Sequence, residues 1–174
     1  PTGYAARGFS PSPEEAGNAR TYDVDTLRQE YSGSGAGDFR LPSLELDLPD
    51  GSHVADLRYV GARQERGKYT LEGLPAFFAQ EEQADTLVIT LEDAVPQVRV
   101  ELLYGVLGDC DLITRAVRIT NQNNQPVRLR RAASLCLDFP SAQLDFITFD
   151  GGHVKERSLN RTPLRPGVQS VGSI

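Results

Sequence analysis

The sequence predicts an all-β fold, an antiparallel sandwich of short strands and many turns. Three segments between Thr86 and Asn121 alternate apolar and polar residues with the period of two that marks a half-buried strand. No segment has the apolar period of a long helix. The chain has 16 glycines and 11 prolines among 174 residues, which suits short strands joined by turns. A chain of this length can bury one full core, so we expect a single domain.

The first third of the chain is rich in turn residues. Residues 1–20 contain two closely spaced prolines and predict an irregular arm, either a disordered end or a loop ordered against a partner. Residues 22–31 predict a short turn of helix. Residues 44–48 alternate leucines with acids, and residues 54–60 return after a turn, so these two segments predict a hairpin. Residues 61–68 are charged and predict an exposed link.

The middle of the chain predicts a three-stranded meander over residues 86–91, 98–106 and 113–119. The second of these has the clearest pattern, with five apolar side chains on one face: Val98, Val100, Leu102, Tyr104 and Val106. Full burial of a large apolar side chain contributes about 1.5–3 kcal/mol, so packing should determine this structure. Later in the chain, residues 127–139 predict a long bent strand and residues 145–149 a short one.

Arg115 interrupts the apolar row formed by Ile113, Val117 and Ile119. A guanidinium in an apolar layer needs an acidic or carbonyl partner. The interpretation we favour is an arginine at the sheet margin with its head group in water. A buried structural ion pair is the alternative.

A glycine-rich segment, with Gly33, Gly35 and Gly37, precedes Asp38 and Arg40 on alternate positions of an emerging strand. Glycines allow positive φ, but the segment has no GKS/T or GxGxxG motif and no helix after it, so it does not predict a phosphate loop. Asp38 and Arg40 form either a structural ion pair or a site that reads sugar hydroxyls.

Composition excludes several classes of function. The net charge of −6 makes nucleic acid and anionic membranes poor partners, and no apolar run has the length of a membrane helix. Two cysteines, Cys110 and Cys136, fit a reduced cytosolic protein better than a disulfide scaffold. Neither His53 nor His153 lies in a metal-binding spacing, and no catalytic motif is present. We therefore expect no metal, no cofactor and no catalytic residue in this chain.

The order of short motifs along the chain resembles the amino-terminal domain of family 36 α-galactosidases. The resemblance covers nearly the whole chain and rests on these runs: Phe9-Ser10-Pro11, Asp25-Thr26-Leu27, Glu30-Tyr31, Gly37-Asp38-Phe39-Arg40, Asp50-Gly51-Ser52, Gly67-Lys68, Gly73-Leu74-Pro75, Thr86-Leu87, Ile113-Thr114-Arg115 and Leu137-Asp138-Phe139-Pro140.

The resemblance implies a galactose-mutarotase-like antiparallel β-supersandwich, truncated at one or both ends, which precedes a (β/α)8 barrel. It implies one domain over residues 1–174, with an arm at 1–21 and the sandwich at 22–174. It also implies that the parent protein is a retaining hydrolase of raffinose- and melibiose-type oligosaccharides. In the family both catalytic aspartates belong to the barrel, which would lie beyond Ile174.

The resemblance further implies partners and substrate contacts. Some family members are tetramers in which an amino-terminal loop reaches the active site of another subunit through an Asp and an Arg. Arg20 is placed like that Arg, whereas Ala6 stands where the Asp would be, and His153 stands where the family has a Trp. We therefore expect Arg20 as the first contact with sugar, and Asp38 and Arg40 as the second.

The expected partners are the chain's own barrel, the other subunits of a tetramer and a galactosyl oligosaccharide, in the cytoplasm of a bacterium. Two alternatives belong to different functional classes. One is a free-standing carbohydrate-binding module, which would need exposed aromatic side chains. The other is a mutarotase-like sugar enzyme that uses His53 or His153 as its acid.

Overall fold

The computed structural model describes residues 28–34, 41–139, 143–165 and 167–172. In that part of the chain, helical structure is limited to two three-residue 3₁₀ turns, Glu81–Gln83 and Gly108–Cys110. The rest of the regular structure consists of strands: β1 (Leu44–Asp47), β2 (Arg58–Arg66), β3 (Asp85–Asp93), β4 (Val98–Leu107), β5 (Leu112–Asn121), β6 (Arg128–Ala132), β7 (Asp145–Asp150) and β8 (Ser158–Pro163).

The chain divides into two compact units, Pro1–Leu137 and Asp138–Ile174. The first unit contains a four-stranded antiparallel sheet in the order β2-β3-β4-β5 and a two-stranded antiparallel sheet of β1 and β6. The second unit contains the antiparallel pair β7 and β8. The all-β antiparallel fold predicted from the sequence is thus confirmed.

The predicted meander corresponds to β3, β4 and β5. Its register places Leu102 opposite both Ile89 of β3 and Val117 of β5, so that the apolar residues of the three strands share one face. Val98, Val100 and Leu102 are fully buried on β4. The same face is open at its far end, where Val106 is 42% and Ile113 is 66% exposed.

The main core of the first unit lies between the two sheets. Leu44 and Leu46 of β1 are buried against Val98, Val100 and Leu102 of β4, and the buried side chains of Tyr31 and Ala55 complete the cluster. The period-two pattern of β1 places both leucines on the inner face while the intervening acid stays half-buried.

A smaller core covers part of the opposite face of the four-stranded sheet. Val88, Leu103 and Ala116 lie side by side on three adjacent strands, and Tyr69 and Leu71 pack over them. Both faces of β3 and β4 therefore carry buried residues. This explains why the apolar alternation in these strands is incomplete.

The predicted hairpin of residues 44–48 and 54–60 is wrong. The turn forms, since Gly51 donates its N–H to the Leu48 carbonyl oxygen at 2.9 Å. However, β1 pairs with the distant β6, and β2 pairs with β3. The segment 61–68 is mostly exposed, as predicted, but it is not a link, because most of it belongs to β2. Strand β2 is an edge strand whose residues are mostly exposed, so its pattern lacks the apolar face of a buried strand.

The other strand predictions have mixed outcomes. The predicted long strand at 127–139 ends at Ala132, because β1 offers only four residues for pairing. The strand at 145–149 is confirmed as β7, whereas β8 was not predicted from its sequence. Residues 28–31 are not helical, and the rest of the predicted helical turn lies outside the described residues, as does the arm at 1–20.

Two further findings concern the environment of the chain. Cys110 and Cys136 are free thiols. Among the described residues, no helix has the length and apolar character needed to cross a membrane.

We predict that Leu102→Ala lowers the free energy of unfolding of the chain by about 2–5 kcal/mol, because it leaves a cavity between two sheets. Val106→Ala on the same strand and face should lower it by less than about 1 kcal/mol, since Val106 is 42% exposed. Chemical denaturation followed by circular dichroism measures both values. Equal losses of unfolding free energy in the two variants would contradict the assignment of the core to the Val98–Leu102 end of β4.

Candidate functional site

The three residues that the sequence predicts as sugar contacts, Arg20, Asp38 and Arg40, lie outside the described residues. The described stretch 28–34, which we call the anchor segment, lies in the sequence between Arg20 and the pair Asp38 and Arg40. Its contacts therefore fix the described residues that flank these two parts of the sequence.

The anchor segment is tied by hydrogen bonds to two later parts of the chain. Ser43 and Leu44 donate their backbone N–H groups to the Ser32 carbonyl oxygen, at 2.9 and 3.1 Å. The Ser32 Oγ accepts a further hydrogen bond from the Ser43 N–H at 3.0 Å. Ala55 donates its N–H to the Ser34 carbonyl oxygen at 2.8 Å. The described residues that precede position 35 and those that follow position 40 are therefore hydrogen-bonded to each other.

Gly33 allows the anchor segment to approach its neighbour closely. A Cβ atom at this position would clash with the carbonyl oxygen of Ala55. Any other residue would push the anchor segment away from the core and weaken the neighbouring Ala55–Ser34 hydrogen bond.

Arg115 lies beside the anchor segment and is buried, with only 6% of its side chain exposed. Its guanidinium stacks on the ring of Tyr104, 4.1 Å from the ring centre, and its Nη2 lies 3.5 Å from Glu30 Oε1. The Tyr104 hydroxyl donates to the same Glu30 oxygen. The interpretation we favoured, an arginine at the sheet margin with its head group in water, is wrong, and Arg115 is a buried cation with an acidic neighbour.

Burial affects the titration of the groups around Arg115. It lowers the pKa of the Arg115 guanidinium, and the charge of Glu30 opposes this effect. It raises the pKa of the Tyr31 hydroxyl to about 12, partly offset by the charge of Arg115. Both groups thus keep their usual protonation states at neutral pH, with Arg115 charged and Tyr31 neutral.

A second polar cluster surrounds Asp47 at the end of β1. His53 Nδ1 lies 2.8 Å from Asp47 Oδ1, and Arg130 Nε donates to Asp47 Oδ2 at 2.8 Å. Burial alone would raise the pKa of Asp47, but the hydrogen bonds and charges of Arg130 and His53 lower it below its ordinary value. His53 is therefore a hydrogen-bonded surface histidine. His153, in the second unit, is exposed.

A third cluster forms a row of ion pairs on the outer face of the four-stranded sheet. Glu101 accepts hydrogen bonds from Arg63 at 2.9 Å and Arg118 at 3.0 Å, and Glu92 accepts one from Arg99 at 2.6 Å. Arg63, Glu92, Arg99 and Glu101 border an open groove of about 300 Å³. Burial would raise the pKa of Glu101, but its two arginine partners lower it.

The carboxyl groups of the described residues can be compared with those that glycoside hydrolysis requires. A glycosidase needs a carboxylic acid with a raised pKa to protonate the leaving group. Three carboxyl groups of the described residues have a shifted pKa, those of Asp47, Asp50 and Glu101, and all three shifts are downward. In the same part of the chain, no group of three or more His, Cys, Asp or Glu side chains could hold a metal ion.

The sequence did not predict the link between Glu30 and Tyr104, which are 74 residues apart. The pairing of Tyr104 with Arg115, in contrast, could have been found from the pattern. Both residues lie on the apolar face of adjacent strands, and counting from the turn at 108–111 places them opposite each other.

Comparison with known proteins agrees with this architecture. The sequence profile described as "Glycosyl hydrolase family 36 N-terminal domain" matches residues 4–174. The bifunctional alpha-galactosidase/sucrose kinase AgaSK of Mediterraneibacter gnavus is 46% identical over 98% of this chain, which spans 18% of that relative.

Two solved structures have the same fold. The GH36 alpha-galactosidase AgaB of Geobacillus stearothermophilus superposes with a TM-score of 0.87 at 42% identity, over 95% of this chain and 23% of that protein. A variant of AgaA from the same organism, in complex with stachyose, gives a TM-score of 0.86 at 41% identity, over 94% and 23% of the two chains.

This chain thus spans about a fifth of the length of its relatives, 18% of one and 23% of another. The profile match covers all but its first three residues. The identities and superpositions extend over the same stretch. The chain belongs to the glycosyl hydrolase family 36 N-terminal domain family.

Proposed function

We propose that this chain is the non-catalytic N-terminal β-sandwich domain of a retaining α-galactosidase. The parent protein would remove terminal α-D-galactosyl residues from oligosaccharides of the raffinose and melibiose type. The observation that carries the proposal is the match over residues 4–174 to a domain that occupies about a fifth of relatives named alpha-galactosidases.

The carboxyl groups of the described residues support a non-catalytic role. A retaining glycosidase places a nucleophilic carboxylate and an acid/base carboxyl group about 5–5.5 Å apart, and the acid needs a raised pKa. Here Asp47 and Glu101 are held ionised by arginines. In our proposal both catalytic aspartates belong to the barrel, and the cytoplasm of a bacterium is the site of action.

Exposed apolar surface on the β7–β8 hairpin supports a docking role. Ile147, Phe149 and Leu159 share one face of the hairpin and are 53%, 70% and 63% exposed. The ion pair of Arg161 with Asp145 borders this face. A two-stranded hairpin is at best marginally stable in water, so its apolar face needs a cover.

We propose that the catalytic barrel of the same polypeptide is that cover. The matched domain is N-terminal in the family, and it occupies 23% of one of the relatives, the Geobacillus stearothermophilus alpha-galactosidase AgaA. The remainder of a parent protein of that size, connected to the second unit, is present at high effective concentration beside the hairpin.

The proposed substrate contacts are Arg20 first, then Asp38 and Arg40, with contacts reaching the active site of a neighbouring subunit of a tetramer. A guanidinium can donate to two sugar hydroxyls at once, and a carboxylate can accept from two. The backbone hydrogen bonds from Ser43 and Leu44 to Ser32 support the role of Asp38 and Arg40, because a site needs fixed flanking residues.

We predict that the complete gene product hydrolyses a chromogenic α-galactoside and that the 174-residue chain does not. Turnover by the chain alone would contradict the non-catalytic role. Two further assays of the chain separate the alternatives. Galactose binding by the chain alone would favour a carbohydrate-binding module. Mutarotation that disappears in His53→Ala or His153→Ala would favour a mutarotase.

We predict that Arg20→Ala in the complete gene product lowers kcat/KM about tenfold or more and leaves thermal stability unchanged. A lost hydrogen bond from a charged donor is worth about 1.5–3 kcal/mol, and 1.4 kcal/mol corresponds to a factor of ten. Arg128→Ala, which removes an exposed arginine of β6, is the control and should retain wild-type kinetics. Wild-type kinetics in Arg20→Ala would remove Arg20 from the site.

We predict that amides of β7 and β8 are protected from hydrogen exchange in the complete gene product at every protein concentration. Cover by the barrel is intramolecular and does not depend on concentration. Protection that appears only at high concentration would instead assign the cover to a second copy of the protein. Rapid exchange at all concentrations would contradict a docking role for this hairpin.

A further inference from the structure

A pocket of about 150 Å³ lies at one end of the first unit, where three turns meet. The turns are residues 48–52, which follow β1, residues 94–97, which join β3 to β4, and residues 122–127, which join β5 to β6. We call this cavity the turn pocket. It lies outside the three polar clusters described above.

Hydrogen bonds hold the three turns in place around the turn pocket. Gln122 donates its N–H to the Gln97 carbonyl oxygen at 2.8 Å, which ties the second turn to the third. The carboxylate of Asp93, which is buried, accepts from the N–H of Asp56 at 2.7 Å and from the N–H of Val95 at 3.0 Å. These bonds link the second turn to the chain that follows the first. The pocket is therefore formed by the fold itself, as ligand pockets usually are.

The turn pocket has an apolar floor and a polar rim. Leu48, Pro96 and Val127 form the floor, where Pro96 is buried and the other two are half-buried. Leu48 and Val127 also pack against the main core, which fixes their positions. Asp50 and Gln125 are exposed at the rim. A cavity of about 150 Å³ accommodates one six-membered ring.

Three polar side chains of the lining, Asp50, Asn123 and Gln125, supply both donors and acceptors. Asp50 Oδ1 accepts from the N–H and the hydroxyl of Ser52, at 2.9 and 2.8 Å, and these bonds lower the pKa of Asp50, so its carboxylate offers Oδ2 as an acceptor. Asn123 Oδ1 accepts from the Gln125 N–H at 3.1 Å, so the Asn123 side chain offers its NH₂ group as a donor. The side-chain amide of Gln125 offers one group of each kind.

We propose that the turn pocket binds a pyranose sugar unit, with the ring on the apolar floor and the hydroxyls toward the three polar side chains. A pyranose is a six-membered ring whose C–H groups are apolar and whose hydroxyls each donate and accept a hydrogen bond. This chemistry matches the floor and the rim. The choice of a galactosyl unit as the sugar rests on the proposed function, and the site is additional to the active site of the parent protein.

The test is hydrogen exchange of the complete gene product, followed by mass spectrometry, with galactose and separately with methyl β-galactopyranoside. The second sugar represents a terminal glycosyl unit, and its β linkage is not one that an α-galactosidase cleaves. We expect galactose to slow exchange of the hydrogen-bonded amides of the three turns about tenfold at about ten times its Kd. Equal slowing by the methyl glycoside assigns the pocket to terminal units of oligosaccharides, and slowing by galactose alone assigns it to the free sugar.

Matched variants separate the turn pocket from general effects of the sugar. Asn123→Asp keeps the oxygen that accepts from the Gln125 N–H and removes only the donor, and Gln125→Ala removes a side chain whose recorded hydrogen bonds are made by its backbone. Each should raise the Kd read from the three turns about threefold to tenfold, the value of one hydrogen bond. Gln122→Ala is the control, because Gln122 is exposed and does not line the pocket, and it should leave this Kd unchanged.

Three outcomes would overturn the proposal. The first is exchange of the three turns that neither sugar changes. The second is equal slowing by glycerol at the same molar concentration, which would be a general effect of a cosolvent. The third is a Kd that stays at the wild-type value in both Asn123→Asp and Gln125→Ala. Hydrolysis of a chromogenic α-galactoside tests the proposed function separately, so slowing without hydrolysis would support the pocket and contradict that function, as expected of a carbohydrate-binding module.

Discussion

The structure of the first unit depends on the burial of β4 on both of its faces. Val98, Val100 and Leu102 pack against β1, while Leu103 packs under Tyr69 on the opposite face. A strand buried on both faces must be central, and its neighbours on either side are fixed by backbone pairing with it. The length of β4 thus sets the lengths of β3 and β5.

That constraint explains which predictions from the sequence were confirmed. The three central strands bury large side chains in alternation, and each burial outweighs differences in strand propensity, so the pattern identifies the strands. The pairing of β1 could not be derived in this way. The sequence indicates that residues 44–48 form a strand, but it does not indicate which strand pairs with them. In the folded chain β1 packs over Val100 and Leu102, and β6, from the far end of the unit, pairs with it there. Adjacency in sequence favoured the wrong partner.

Edge strands and paired charges set a second limit on prediction. Strand β2 faces solvent along most of its length, so it carries Arg63 and Glu65 where a buried strand would carry leucine or valine. Charges of this kind protect a sheet edge from pairing with other chains, and they also remove the pattern by which a strand is recognised. Prediction of the candidate site from the sequence was limited in a similar way. Arg115 was found from its position on an apolar face, but its burial depends on Glu30 and Tyr31, which reach it only in the folded chain.

The exposed apolar surface of the fold indicates where the domain would contact the rest of the parent protein. The first unit buries one end of the sheet face completely and leaves Val106 and Ile113 exposed at the other. The second unit exposes the apolar face of a hairpin. On the outer face of the four-stranded sheet, the arginines 63, 99 and 118 are paired with Glu92 and Glu101. Because apolar surface gains free energy when it is covered and paired charges gain little, contacts with the rest of the parent protein should form at these apolar regions. The row of ion pairs on the outer face of the four-stranded sheet should remain in water.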